Sequence, residues 1–175
     1  MHVGIIGGGP AGSVAAAVLA RSGHQVTIFE QEVFPRFHIG ESLLPCNLPI
    51  LEDIGISHEV FRAHSFMPKH AAFFEQVGSG KIARFPFADG LPGDPTSIYQ
   101  VERAHFDTLL LNNAVTQGAV LMCPAAVRQV EFDGQRPLIH YRFQGGEAQC
   151  EVDFVIDASG RDTLLARQLG TLDRA

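Results

Sequence analysis

The hydrophobic pattern changes period twice within the first 30 residues. "HVGIIGGG" (2–9) is a short apolar run that stops in glycines, which predicts a strand covered on both faces. "PAGSVAAAVLARSG" (10–23) predicts a helix, with Pro10 near its start, alanines along its length and Gly23 as its stop. "QVTIFE" (25–30) returns to a buried-strand pattern. Strand, helix and strand at this spacing form a βαβ unit, which calls for a parallel sheet.

Beyond it, "QEVFPRFHIGESLLP" (31–45) is irregular, and "NLPILEDIG" (47–55) predicts a helix. "FMPKHAAFFEQ" (66–76) reads as one apolar strand. With "GKIARFPF" after the "GSG" turn, its second half forms a hairpin. From "SIYQVERAHFDTLLLNNAVTQGA" (97–119), Phe106, Leu109, Leu110 and Ala114 recur at helical spacing. "VLMCP" is a short strand. "AAVRQVEFDG", "PLIHYRFQGG" and "AQCEVDFVIDASG" predict an antiparallel meander feeding one last buried strand, and "RDTLLARQLG" starts a helix. The expected fold class is α/β, a Rossmann-like nucleotide-binding fold with a parallel sheet and an antiparallel β-meander.

Composition narrows the function. Of 175 residues, 46% are hydrophobic and 18% charged, the balance of a soluble globular domain. Net charge is −6 with no run of Lys or Arg, which argues against nucleic acid as a partner. No stretch approaches the roughly 20 apolar residues that span a bilayer, and "VAAAVLA" lacks the charged leader of a signal peptide. Cys46, Cys123 and Cys150 have no metal-ligand spacing and are odd in number, so a reduced, cytoplasmic compartment is expected. The histidines show no metal-ligand spacing either, and no metal is expected.

The strongest motif is Gly7-Gly8-Gly9-Pro10-Ala11-Gly12, a G-x-G-x-x-G between first strand and first helix. Gly7, Gly9 and Gly12 allow a tight turn and close approach to a pyrophosphate. Pro10 and Ala11 open the helix whose N-terminal amides and dipole face that anion. Glu30 closes the second strand eighteen residues after Gly12, where an acid accepts hydrogen bonds from ribose hydroxyls and repels a 2′-phosphate. The alternative is a glycine-rich turn with no ligand. The motif predicts a dinucleotide other than NADP, and its spacing does not separate FAD from NAD.

"GIIGGGPAGS", "FPRFHIGESLLP", "VERAHFDTLLLNNAVTQGA" and "VIDASGRDTLLARQLG" resemble the FAD-binding part of the para-hydroxybenzoate-hydroxylase-like flavoproteins. "PRFHIGESLLP" is similar to a segment of the flavin-dependent halogenases acting on pyrroles and phenols. The resemblance implies FAD as cofactor and places Gly40, Glu41, Ser42 and Leu43 beside the flavin. Read alone, that segment is equally an ordinary turn. It implies that Arg103 lies near the FAD pyrophosphate, the alternative being a surface pairing with Glu102 or Asp107. It brings Val127 to the adenine, and Asp157 to Gly160 over the dinucleotide. Asp157 also suits a helix cap.

Lys69 is one of two lysines in the chain and lies 27 residues after Ser42. The separation and "K-x-A-x-F" resemble the halogenase pattern around its catalytic lysine, with Ala71 where the family often has Gly. The resemblance implies that reduced FAD, O2 and halide give hypohalous acid, which the lysine relays to an electron-rich aromatic substrate, free or carrier-tethered. A separate flavin reductase would supply FADH2. A lysine among apolar neighbours suits proton donation or nucleophilic amine chemistry as arginine does not. Sequence alone favours an edge-strand residue that discourages pairing. An aromatic monooxygenase, a geranylgeranyl-reductase-like enzyme and a non-catalytic FAD-binding fragment remain alternatives. Residues 1–175 are expected to form one FAD-binding domain. The family's second Gly-Asp motif and its substrate domain would follow residue 175, so this stretch alone is expected to be inactive.

Overall fold

The computed structural model describes residues 1–171. In chain order its elements are β1 (His2–Ile6), α1 (Pro10–Arg21), β2 (Gln25–Phe29), α2 (Asn47–Asp53), α3 (His58–Ala63), β3 (Met67–Lys69), β4 (Ala71–Gln76) and β5 (Lys81–Pro86). There follow β6 (Ile98–Gln100), α4 (Arg103–Thr116), β7 (Val120–Met122), β8 (Ala125–Glu131), β9 (Leu138–Phe143), β10 (Gly146–Glu151), β11 (Phe154–Asp157) and α5 (Leu164–Gln168). The chain divides into two compact units, Met1–Phe37 with the described residues from Ala104 onward, and His38–Arg103.

The first unit holds a parallel sheet in the order β11-β1-β2-β7 and an antiparallel sheet β10-β9-β8. β1 and β2 are buried along almost their whole length, as strands covered on both sides must be. Ile6, Phe29, Ala125, Val130, Ile139, Tyr141 and Val152 form one buried cluster, within which the Phe29 and Tyr141 rings lie 4.8 Å apart. The meander alternates: Ile139 and Tyr141 of β9 point inward while Arg142 is exposed. At the end of the unit, Gln168 of α5 closes both backbone bonds of Val130, accepting from its amide and donating to its carbonyl.

The first turn is built by close approach. A Cβ on Gly12 would stand 2.0 Å from the carbonyl oxygen of Gly7, so only glycine lets α1 start against the end of β1. Ser13 is fully buried, and its hydroxyl donates to the Gly8 carbonyl at 2.8 Å.

The second unit has a small core of Leu48, Leu51, Ile54, Ile56, Phe61, Phe66, Ile98, Tyr99 and Val101. Phe61 and Tyr99 stack with centroids 4.5 Å apart. β3 pairs with β6 and β4 with β5, both antiparallel. By register, one face of the β4–β5 ribbon carries Phe73 and Ile82 and the other Phe74 and Phe85, all of them exposed.

One expectation needs correction. The strand expected over 66–76 is two strands, broken at His70, and each half pairs with a different partner: Lys69 lies opposite Ile98, and Ala71 opposite Pro86. Within 97–119 the helix starts at Arg103, and Ile98–Gln100 ahead of it is strand β6. Pairing with β3 fixes Ile98–Gln100, and local periodicity does not record such a non-local partner. Among the described residues no helix is long and apolar enough to cross a membrane.

Replacing Gly12 by alanine should destabilise the fold by about 1–3 kcal/mol or more, because the obstructing atom is backbone. Urea unfolding reads this directly, and a stability equal to wild type would contradict the close approach.

Candidate functional site

In the first unit the site is built around Glu30, which is 4% exposed at the C-terminal end of β2. Burying a carboxylate is costly unless its oxygens are satisfied. Here the Gly8 amide donates to Oε2 at 2.7 Å and the Glu32 amide to Oε1 at 2.7 Å. Two oxygens offer about four acceptor positions, so positions remain for hydroxyl donors of a ligand. The backbone of Glu30 is equally engaged, donating to Met122 and accepting from Ala125.

The N-terminus of α1 opens beside this carboxylate. Gly9 caps it without a side-chain bond, no acidic residue lies in its first turn, and Pro10 occupies the first position. That leaves backbone amides and the positive end of the helix dipole as anion donors. Arg36 adds a full charge: its Nη2 is 3.4 Å from where a Cβ on Gly9 would sit. Arg36 makes ion pairs with Glu32 (3.2 Å) and with the fully buried Asp107 (3.8 Å). Its Nε and Nη1 are buried facing those two carboxylates, and Nη2 is the nitrogen nearest Gly9. A guanidinium nitrogen beside Gly9, a bare helix N-terminus and a buried carboxylate with acceptor positions left suit the phosphates and ribose of a dinucleotide.

Arg36 was absent from the sequence-based site. The available signal was an arginine in the same irregular segment as Gly40–Leu43, but its proximity to Gly9 is a product of the fold. Asp157 ends β11 beside the same turn, and a Cβ on Gly7 would meet the Ala158 carbonyl. Both oxygens of Asp157 accept backbone amides, from Ser159 (3.0 Å) and from Leu165 (2.8 Å), so the capping role expected of it is present. Gly160 begins a short 3-10 turn, and Val127 lies on β8, at a bulge, against the core.

In the second unit, Glu41, Ser42 and Leu43 run antiparallel to β6. The Val101 amide donates to Glu41 (2.8 Å), Ser42 bridges Gln100, and the Leu43 amide donates to Tyr99 (3.3 Å). β3 lies on the other edge of β6, so β6 is sandwiched between the 41–43 segment and the strand carrying Lys69. The Lys69 Nζ donates to the Leu43 carbonyl at 3.2 Å and lies 5.3 Å from the centroid of the Phe87 ring. Gly40 has φ +109, a left-handed conformation that disfavours any other residue. The Arg103 guanidinium packs beside it and donates to the Ile39 carbonyl at 2.9 Å. Arg103 thus secures the backbone at the start of the segment that Lys69 meets at its end. A groove of about 510 Å³ lies alongside, lined by Leu44, Pro45, Cys46, Phe85 and Phe87 among others.

The βαβ turn and buried acid define an α/β nucleotide-binding protein. The tryptophan halogenase family profile matches residues 2–97 and 93–173, and the chain belongs to that family. It is 37% identical over 172 residues to a tryptophan 2-halogenase of Chondromyces crocatus, covering 94% of this chain and 31% of that protein. It is 33% identical to the 1H-pyrrole-2-carbonyl-[peptidyl-carrier protein] chlorinase of Pseudomonas fluorescens, covering 97% and 41%. Among solved structures, the flavin-dependent halogenase CmlS superposes with a TM-score of 0.89 at 39% identity, over 97% of this chain and 31% of that one. A flavoprotein/dehydrogenase from Cytophaga hutchinsonii superposes with a TM-score of 0.90 at 34% identity, over 100% and 43%. The chain therefore spans about a third to two fifths of the length of these relatives.

The Cys123 thiol donates to the Glu32 carbonyl, and burial, with the Glu30 charge second, pushes its pKa up. Iodoacetamide at pH 8 should modify the exposed Cys46 well before Cys123. In Glu30→Gln the onset of Cys123 alkylation should move to lower pH, because one of its two causes is removed. An unchanged pH profile would show that the Glu30 charge does not act on this thiol.

Proposed function

We propose that this chain is the FAD-binding portion of a flavin-dependent halogenase and that Lys69 is its catalytic residue. Membership of the tryptophan halogenase family supports the class. The observation that carries the residue assignment is the meeting of Lys69 Nζ with the Leu43 carbonyl, at the end of the Gly40–Leu43 segment. FAD fits the first unit: Gly7, Gly9, Pro10, Ala11 and Gly12 face its pyrophosphate with Arg36, and Glu30 takes its ribose. Val127 meets its adenine, and Asp157 and Gly160 close over the dinucleotide near the glycine turn. For the second unit, the family resemblance assigns Gly40, Glu41, Ser42 and Leu43 to the flavin. Arg103 orders that loop through Ile39.

When bound and reduced, FAD with O2 and halide supplies hypohalous acid. The part of this chain is then to hold and aim a proton donor. An ammonium carries three donors, of which Lys69 spends one on Leu43. As an electron-rich aromatic ring attacks the halogen, a remaining N–H gives its proton to the hydroxyl oxygen, the O–halogen bond breaks with loss of water, and the ring returns its proton to the amine. The aromatic ring is free or carried on a carrier protein, and FADH2 comes from a separate reductase. The three free cysteines accord with a reduced, cytoplasmic setting. A second reading, a flavin oxidoreductase without halogenation, is favoured by the likeness to the flavoprotein/dehydrogenase.

The test uses the full-length protein that contains this chain, with FAD, a flavin reductase, NADH, O2, bromide and a phenol or pyrrole probe. Mass spectrometry should find brominated product. Lys69→Ala should lower its yield roughly 100-fold or more while flavin reoxidation continues, the loss expected on removing a positioned proton donor. Hydroxylated product, or peroxide alone in both proteins, would support the second reading and remove Lys69 from the chemistry.

A further inference from the structure

Lys69 is held from a second direction by a residue that the functional reading above leaves without a role. Phe87 follows β5 and opens a short 3-10 turn, Phe87–Asp89. Its amide donates to the carbonyl of His70, the neighbour of Lys69, at 2.8 Å, so its backbone is tied to the end of the lysine's strand. Its half-buried ring stands 5.3 Å from Lys69 Nζ, within the range of a cation–π contact. It also lines the 510 Å³ groove, with Leu44, Pro45 and Phe85.

We propose that Phe87 is a positioning residue for Lys69, fixing the ammonium between its ring and the Leu43 carbonyl. This inference rests on the catalytic reading of Lys69. A lysine side chain is a flexible four-carbon stem, and a single hydrogen bond leaves its tip free to swing about that one contact. A second contact from a separate segment removes that freedom. The chemistry of the second partner matters as well. A carboxylate would attract the ammonium by accepting its protons, whereas an aromatic face attracts the charge without using a lone-pair acceptor. With Leu43 taking one proton, the ring keeps the ammonium in place and the other two donors remain available. Phe87 also walls the groove, whose lining joins Leu44, Pro45 and Phe85 to Arg84, Asp89 and Asp94.

The test uses the same full-length protein in two measurements. In the first, brominated product formed per flavin reoxidised is compared for wild type, Phe87→Leu, Phe87→Tyr and Lys69→Ala. Phe87→Leu keeps apolar bulk but removes the quadrupole, and should lower this ratio roughly three- to tenfold. FAD affinity and the rate of flavin reoxidation should stay at wild-type values, and Phe87→Tyr should restore the ratio. A wild-type ratio in Phe87→Leu, alongside a lost ratio in Lys69→Ala, would overturn the positioning role and leave the catalytic lysine intact. Full activity in Lys69→Ala would instead overturn the catalytic reading on which the inference rests.

The second measurement needs no turnover. Reductive ¹³C-methylation keeps the lysine charge, and the Lys69 resonance is assigned by its loss in Lys69→Arg. In oxidised, halide-free protein that resonance should lie upfield of ordinary methylated lysine through the Phe87 ring current, and should return to the ordinary position in Phe87→Leu. An unshifted Lys69 resonance in the wild type overturns the proposal whether or not the leucine variant folds.

Discussion

The buried carboxylate of Glu30 is the constraint on which the first unit turns. A charge 4% exposed must be met by donors, and the donors available are the Gly8 and Glu32 amides. Meeting them ties the glycine turn to the end of β2 and fixes the chain that leads on to Arg36. Burial first, and the same carboxylate second, push up the Cys123 thiol in the segment after β7. Ordering by one acid explains why α1 can present a bare N-terminus: the turn is held from below, by Glu30 and by the Ser13 hydroxyl, and needs no side-chain cap.

The second unit follows a different logic, in which a loop is made rigid by joining a sheet. Residues 41–43 add to one edge of β6 while β3 adds to the other, and Lys69 reaches the loop's last carbonyl. Arg103 holds the loop's entry and Lys69 its exit. A displacement of the loop would therefore be transmitted to the lysine, since they share both a strand and a hydrogen bond. The exposed Phe73, Phe74, Ile82 and Phe85 on the β4–β5 ribbon belong to a chain that spans only part of its relatives' length.

Most of the first unit was legible in the sequence because its signals are local. The βαβ unit is marked by glycines, alanines and β-branched runs, and the meander by alternation that the structure keeps in Ile139, Tyr141 and Arg142. The second unit was less legible, because its order is non-local. Nothing in "FMPKHAAFFEQ" announces that His70 ends one pairing and begins another, and Ile98–Gln100 is a strand only through β3 and the 41–43 segment. The same limit applies to side chains. Glu30 could be singled out from its distance to Gly12, whereas Lys69 stood out only through the resemblance to the halogenase pattern. Arg36 and Phe87 acquire their meaning from partners remote in sequence or from a turn whose course the residues do not state.

In the proposed function the glycine turn, Glu30 and Arg36 act as one dinucleotide site. Calorimetric titration of the full-length protein with FAD, wild type against Glu30→Ala and Arg36→Ala, reads that site. Each substitution removes charge-assisted hydrogen bonds and should weaken binding by about 1–3 kcal/mol, roughly 5- to 150-fold in affinity. FAD affinity unchanged in both variants would mean that FAD does not bind at this turn.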